Sequence, residues 1–115
     1  MDQSQLQKLV LSSLEDDKAK DIIDLDVRHL TAITDRMIIC SGTSSKHVQS
    51  MGEHLIMKAK DHDHQPLGIE GLTEGEWVLV DLNDIVVHIM LPATREFYSL
   101  EKLWTTAEDL RKTAK

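Results

Sequence analysis

Residues 76–90 read EWVLVDLNDIVVHIM, and the rest of the predicted sheet is built around this stretch. Two apolar, largely β-branched runs flank Asn83 and Asp84, which both tolerate the positive φ angles of a two-residue hairpin turn. The pattern therefore predicts a β-hairpin. Its opposed pairs are Leu82 with Ile85, Val80 with Val87, and Val78 with Ile89.

The two faces of this hairpin differ in polarity. Side chains alternate along a strand, so the three pairs share one wholly apolar face. The opposite face, here called the mixed face, pairs Asp81 with Val86, Leu79 with His88, and Trp77 with Met90. A carboxylate, an imidazole and an indole among aliphatic side chains are typical of a partly solvated sheet surface. The mixed face is therefore a candidate binding surface.

The length and composition predict a single domain. A chain of 115 residues with 41% hydrophobic content can bury a core without the help of disulfides or metal ions. We expect the domain to cover residues 1–104 and a polar tail to follow over residues 105–115. No apolar run approaches the roughly 20 residues of a membrane helix, and the N-terminus lacks the basic and apolar segments of a signal peptide. These features predict a soluble, cytoplasmic protein with no membrane partner.

The charge is strongly acidic. The formal net charge is −7, and because the last eleven residues carry +1, residues 1–104 carry −8. A phosphate backbone would repel such a body, which argues against direct nucleic-acid binding as the main activity. A basic protein partner is permitted. Solubility alone also explains the acidity.

The first half of the chain predicts two helices and two strands. A capping box at Ser4 opens a helix over residues 4–16. Residues 21–27 alternate as a strand with one solvated side, and residues 36–41 are apolar enough for a central strand. A second helix follows Gly42 and Ser44, with Gly52 packed closely against the sheet. Its predicted buried stripe is Val48, Met51, Leu55 and Ala59.

The last predicted helix starts at Pro92 and runs to Trp104. Phe97, Leu100, Leu103 and Trp104 are expected on its buried face, and Arg95, Tyr98, Glu101 and Lys102 away from that face. A short strand over residues 66–71 precedes the hairpin. Because a strand, a helix and a following strand need a crossover, part of the sheet must be parallel while the hairpin is antiparallel. The predicted class is α/β, with a mixed five-stranded sheet flanked by helices.

Catalytic motifs are weak. Gly42-Thr43-Ser44, between a strand and a helix, could present backbone N–H groups to an anion, but a turn with an N-cap is the better interpretation of these residues. A nucleotidyltransferase needs two carboxylates on the next strand to hold magnesium, and that strand supplies Glu70 alone. Cys40 fits a buried apolar position, and residues 61–64, DHDH, fit a solvated helix end better than a metal site. We predict no catalytic, cofactor or metal site.

Several segments together resemble the ribosomal silencing factor family, also called Iojap-like. Residues 21–27 read DIIDLDV, residues 35–48 DRMIICSGTSSKHV, residues 76–82 EWVLVDL, residues 87–90 VHIM, and residues 97–104 FYSLEKLW. The resemblance extends over residues 4–104, with the segments in the same order. Asn83 departs from the glycine expected in the family's turn, although both residues suit positive φ.

The resemblance implies a fold similar to nucleotidyltransferases without their catalysis. It also implies a non-enzymatic translational repressor that binds the fourteenth protein of the large ribosomal subunit. Occupying that site would obstruct joining of the small subunit and damp translation when nutrients are scarce. The negative charge of residues 1–104 is complementary to that of a basic ribosomal protein. The alternative function is a nucleotide-binding or nucleotidyltransferase-like enzyme that uses the Gly42 turn.

The predicted partner-binding residues lie on the mixed face, at the hairpin turn and on the last helix. They are Trp77, Asp81, Leu82, Asp84, His88, Tyr98, Lys102 and Trp104. Aromatic side chains supply anchoring area, and carboxylates would pair with Lys or Arg of a partner. Leu82 falls on the apolar face, so its inclusion requires exposure at the turn. Trp77 and Trp104 could instead pack on each other in the core, and the same face could form a homodimer off the ribosome.

Overall fold

The computed structural model describes residues 1–103, so Trp104 and the tail over residues 105–115 lie outside the described residues. In chain order the elements are α1 Gln3–Asp16, β1 Lys20–Asp26, β2 Arg36–Ser41, α2 Ser45–Asp61, β3 Gly68–Glu70, β4 Trp77–Asp81, β5 Ile85–Met90, α3 Pro92–Tyr98 and α4 Leu100–Leu103. Within residues 1–103, no helix is both long enough and apolar enough to cross a membrane.

The five strands form one mixed sheet, as predicted. Their order is β1-β2-β5-β4-β3, with β2 parallel to β5 and every other neighbouring pair antiparallel. The central strand is β5, and all six of its residues are buried. The α/β class and the interior position of β2 are therefore confirmed.

The hairpin of β4 and β5 has the predicted register. Val78 pairs with Ile89 and Val80 with Val87. At the turn, the Leu82 backbone N–H donates to the Ile85 carbonyl at 2.8 Å. Asn83 alone of the two turn residues takes a positive φ, 75°. The amide side chain that the sequence offers there fits this left-handed conformation.

Helices α1 and α2 cover the apolar face of the sheet. Val48, Met51, Leu55 and Ala59 of α2 are fully buried, which confirms the predicted stripe. A β-carbon added at Gly52 would lie 3.0 Å from side-chain atoms of both Leu72 and Val78, so this helix packs as closely as its glycine suggested.

The first helix begins one residue earlier than predicted, and its N-cap lies two residues earlier. Asp2, not Ser4, is its N-cap: the Asp2 carboxylate accepts from the Gln5 backbone N–H at 2.8 Å, and the Gln5 side chain accepts from the Asp2 N–H at 2.9 Å. Helix α1 also reaches β1, where Asp24 accepts hydrogen bonds from Gln7 and Arg36. The side of β1 predicted to be solvated is therefore partly covered.

The C-terminal prediction of one continuous helix was wrong. Ser99 adopts a left-handed conformation with φ 47°, and this separates α3 from α4. Phe97, predicted to be buried, is 80% exposed, whereas Arg95, predicted to lie away from the core, is buried. The Arg95 guanidinium donates to the Ser41 hydroxyl at 3.1 Å. That contact turns α3 so that Arg95, rather than Phe97, points at the sheet.

Candidate interaction surface

An aromatic cluster lies at one end of the mixed face. The ring of Trp77 on β4 lies 4.9 Å from the ring of Tyr98 and 5.8 Å from that of His88, measured between centroids. Phe97 packs edge-on against Tyr98 at 4.9 Å. The spacings are those of favourable aromatic pairs. The structure therefore brings together three of the predicted residues, Trp77, His88 and Tyr98.

The cluster is buried at its base and open at its top. His88 is almost completely buried on β5 and Trp77 is half-buried, but Tyr98 is 53% exposed. Neighbouring Phe97 is exposed as well. Sequence reasoning missed Phe97 because helical periodicity placed it inward with Leu100. Its adjacency to Tyr98 was the available signal that two large rings share this helix end.

His88 is held in one protonation state and one tautomer. The Trp77 indole N–H donates to Nδ1 of His88 at 2.9 Å. An indole nitrogen can only donate, so Nδ1 must be unprotonated and the imidazole proton must sit on Nε2. Burial lowers the pKa of His88 to about 4, which keeps the ring neutral at physiological pH. The mixed face thus carries a neutral N–H donor at this position.

A groove lies beside the cluster on the same face. It has a volume of about 290 Å³ and is bordered by β4, β5, the loop before β2 and the start of α4. Most of its lining is apolar; the lining residues are Thr31, Ile33, Thr34, Met37, Leu79, Asp81, Val86, His88 and Leu100. Asp81 and His88, both predicted site residues, therefore contribute its polar groups together with two threonines.

Asp84 lies at the turn end of the hairpin, away from the aromatic cluster. Its backbone carbonyl accepts from the N–H groups of Asp35 and Arg36 at 3.2 and 3.1 Å. Asp81 accepts from the Asn83 N–H at 2.9 Å. Since a strand rises about 3.3 Å per residue, Trp77 and Asp81 are about 13 Å apart along β4. The predicted carboxylates and aromatics therefore occupy opposite ends of the surface.

Leu82 and Lys102 also lie apart from the aromatic cluster. The expectation that Leu82 is exposed at the turn was wrong: its side chain is completely buried with the apolar core, because the alternation that places Val80 inward continues into the turn. Lys102 is exposed but lines a different cavity, beside Ser41 and Arg95. Trp104 is outside the described residues, so its proposed packing against Trp77 stays a prediction.

The Gly42 turn has the geometry of a helix cap. Ser44 accepts the His47 backbone N–H at 3.1 Å, and the Thr43 N–H donates to Nδ1 of His47 at 2.9 Å. A β-carbon on Gly42 would lie 2.8 Å from side-chain atoms of Met51 and Val48. The turn is therefore packed under α2, and the Thr43 N–H that an anion would need is already engaged.

Cys40 and the histidines after α2 also have structural partners. Cys40 is completely buried, as predicted, and burial raises the pKa of its thiol to about 12. His62 contacts the Lys58 carbonyl at 2.9 Å, whereas His64 contacts the Leu82 carbonyl at 2.8 Å. The two imidazoles are thus held by different parts of the chain and do not converge.

Comparison with known proteins assigns this chain to a family. A family model described as ribosomal silencing factor during starvation matches residues 1–115. The chain is 44% identical over 104 residues to the ribosomal silencing factor of Chromobacterium violaceum, covering 90% of this chain and 85% of that protein. It is 38% identical over 100 residues to the mouse protein named mitochondrial assembly of ribosomal large subunit protein 1, covering 84% of this chain and 44% of the mouse protein.

A solved structure agrees with the sequence comparison. The crystal structure of a Chromobacterium violaceum protein, 44% identical in sequence, superposes with a TM-score of 0.88 over 90% of this chain and 87% of that one. At this identity and coverage the likeness extends over most of the chain. The chain therefore belongs to the ribosomal silencing factor family.

Proposed function

We propose that this protein is a translational repressor that binds the large ribosomal subunit and blocks joining of the small subunit by occupying the joining surface. The proposed contact on the ribosome is the fourteenth protein of the large subunit, and the physiological setting is nutrient limitation. Membership of the ribosomal silencing factor family supports the repressor role. The name of the mouse relative, which refers to assembly of the large ribosomal subunit, supports the choice of subunit.

The observation that carries the proposal is the exposed aromatic pair on a rigid base. Tyr98 is 53% exposed and Phe97 is 80% exposed, while the underlying Trp77 is fixed by its hydrogen bond to His88. Large aromatic side chains held in place by their neighbours are enriched among the residues that dominate protein–protein binding energy. A rigid base also reduces the entropy lost on binding.

The acidic charge supports a basic ribosomal protein as the contact. Residues 1–104 carry a formal charge of −8. Complementary charge accelerates association with a cationic protein, and the same charge is repelled by ribosomal RNA nearby. The role we propose is steric: the protein prevents subunit joining by its presence and catalyses no reaction. A homodimer through the mixed face would have to dissociate before this surface could reach the ribosome.

The decisive variant is Tyr98→Ala. Because Tyr98 is exposed, its loss should leave the fold intact, while the affinity for purified large subunits falls by about 2 kcal/mol, or roughly thirtyfold, as expected for an interface hot spot. Co-sedimentation over a concentration series measures this affinity. The same preparations can be tested for inhibition of subunit joining by light scattering.

Met57→Ala provides a matched control. Met57 is an apolar residue that is 60% exposed on α2, the helix that covers the opposite face of the sheet. Its truncation should change neither the affinity nor the inhibition. Equal binding by wild type, Tyr98→Ala and Met57→Ala, with unchanged circular dichroism, would remove the proposed surface. Subunits that join equally fast with and without the wild-type protein would remove the proposed mechanism.

A further inference from the structure

The groove beside the aromatic cluster lies at the lower end of the size range of small-ligand sites. Sites for such ligands measure roughly 300–1,000 Å³, and this groove measures about 290 Å³. Its walls include the side chains of Met37, Leu79, Val86 and Leu100, with Ile33 at the loop before β2. The mostly apolar lining fits a large apolar side chain better than a charged cofactor or nucleotide.

The groove also offers a hydrogen-bond donor of fixed identity. His88 lines it, and Nδ1 of that ring is already occupied by the Trp77 indole N–H. Nε2–H is therefore the polar group that His88 can present to an occupant. Among the described groups of residues 1–100, none accepts a hydrogen bond from it. In an apolar wall, such a donor favours an occupant that carries an acceptor, because leaving the N–H unpaired on binding is costly.

A carboxylate completes the groove. Asp81 lines it from the end of β4, where the side chain is half-buried and accepts the Asn83 N–H. A carboxylate can accept several hydrogen bonds, so this contact leaves capacity for a cation. Together with the acidic body, it favours a positively charged protein segment over an anionic ligand. An apolar side chain with a backbone carbonyl beside it is what such a segment supplies.

We infer that the groove receives one apolar side chain of the basic ribosomal protein, and that His88 Nε2–H donates a hydrogen bond to a carbonyl next to that side chain. This inference rests on the proposed function and adds a specificity-determining residue to it. Trp77 then has two roles: it supports Tyr98 at the surface, and it sets the tautomer of His88. The aromatic cluster and the groove therefore act as one recognition unit.

Two amide substitutions separate the roles of the two ring nitrogens. In His88→Asn, the amide oxygen can take the place of Nδ1 and accept the Trp77 N–H, but no donor reaches the position of Nε2. In His88→Gln, the longer side chain can place its amide N–H there. We expect His88→Asn to bind purified large subunits at least tenfold more weakly than wild type, which is the scale of one lost buried hydrogen bond. The affinity of His88→Gln should stay within about threefold of wild type.

A second pair of variants tests the groove while leaving His88 and Trp77 unchanged. Ile33 is 81% exposed, so Ile33→Lys should fold normally while it places a cation at the groove against a cationic partner. We expect a loss of tenfold or more in affinity. Met57→Lys makes the same change in net charge on the opposite face and should bind within about threefold of wild type.

The possible results are distinguishable. If Tyr98→Ala weakens binding but His88→Asn and Ile33→Lys bind like wild type, the groove inference is overturned and the proposed function stands. If wild type itself does not bind large subunits, the proposed function fails first.

The indole N–H resonance of Trp77 in nuclear magnetic resonance spectra reports on the hydrogen bond to residue 88. Equal losses in His88→Asn and His88→Gln, with that resonance shifted in both, would mean that His88 only supports Trp77, which also overturns the inference.

Discussion

The two faces of the β4–β5 hairpin are made by alternate residues of the same two strands, yet they differ in polarity and in burial. On the face under α1 and α2, Val78, Val80, Val87 and Ile89 are all completely buried. On the mixed face, Val86 and Met90 are also buried. Trp77 and Leu79 are only half-buried, however, and His88 is buried but polar. Alternation along two strands thus gives one face a wholly apolar contact with the helices and the other a partly exposed, partly polar surface.

The largest difference between the faces should appear in truncations of aliphatic side chains. Ile89→Ala empties a position that is 0% exposed in the main core, and it should lower the free energy of unfolding by about 4 kcal/mol. Leu79→Ala, from the half-buried mixed face, should lower the free energy of unfolding by about 1 kcal/mol, because the Leu79 side chain buries less apolar surface on folding. Urea unfolding followed by circular dichroism measures both. Equal costs would mean that the mixed face is as fully packed as the helix-covered face.

A smaller difference should appear on acidification. The pKa of His88 is about 4 in the folded protein and near 6.5 in the unfolded chain, so the unfolded chain binds the proton first as pH falls. The contribution of His88 to stability is fully present above pH 6.5, declines between pH 6.5 and 4, and is constant below. The loss should reach roughly 3 kcal/mol.

The His88→Asn variant isolates this contribution. It lacks the titrating ring but retains an acceptor for Trp77, so its unfolding free energy should not show this component of the decline. The unfolding free energy of wild type, relative to that of the variant, should therefore fall by roughly 3 kcal/mol as the pH is lowered from 7 to 4. Parallel curves over that range would show that the imidazole is not buried as the structure places it.

The smallest effect is expected at the sheet edge, where neither face dominates. Arg28 donates to both carboxylate oxygens of Asp26, and this pairing lowers the pKa of Asp26 to about 2. Both side chains are exposed, so solvent screens the pair. Asp26→Asn should leave the unfolding midpoint unchanged within error at neutral pH. A clear loss of stability would show that this edge is more strongly coupled to the core than its exposure indicates.

The central sheet could be predicted from the sequence because its information is local. The period-two pattern of residues 76–90 determines which side chains share a face, and the observed pairs Val78–Ile89 and Val80–Val87 follow from it. Leu82 illustrates the strength of this rule. Alternation placed it on the apolar face, and the expectation of exposure that overrode the rule was wrong.

The C-terminal part of the surface could not be predicted in the same way. Helical periodicity alone cannot anticipate that Arg95 bonds to Ser41, 54 residues earlier, because that contact exists only after the chain has folded. The left-handed Ser99 is equally hidden, since serine is not a usual residue for that conformation. The exposure of Phe97 follows from these two tertiary features, whereas helical periodicity had already placed Tyr98 away from the buried face.

The parallel pairing of β2 with β5 has a consequence for folding kinetics. Ile38 pairs with Val87, which lies 49 positions later in the chain, whereas the β4–β5 hairpin closes over a two-residue turn. Closing the longer loop costs more chain entropy, and an isolated hairpin can form in about 1–10 μs. We expect the β4–β5 hairpin to enter the folding nucleus early and β2 to dock afterwards. The strands that present Trp77 and His88 would then be among the first parts of the chain to become ordered.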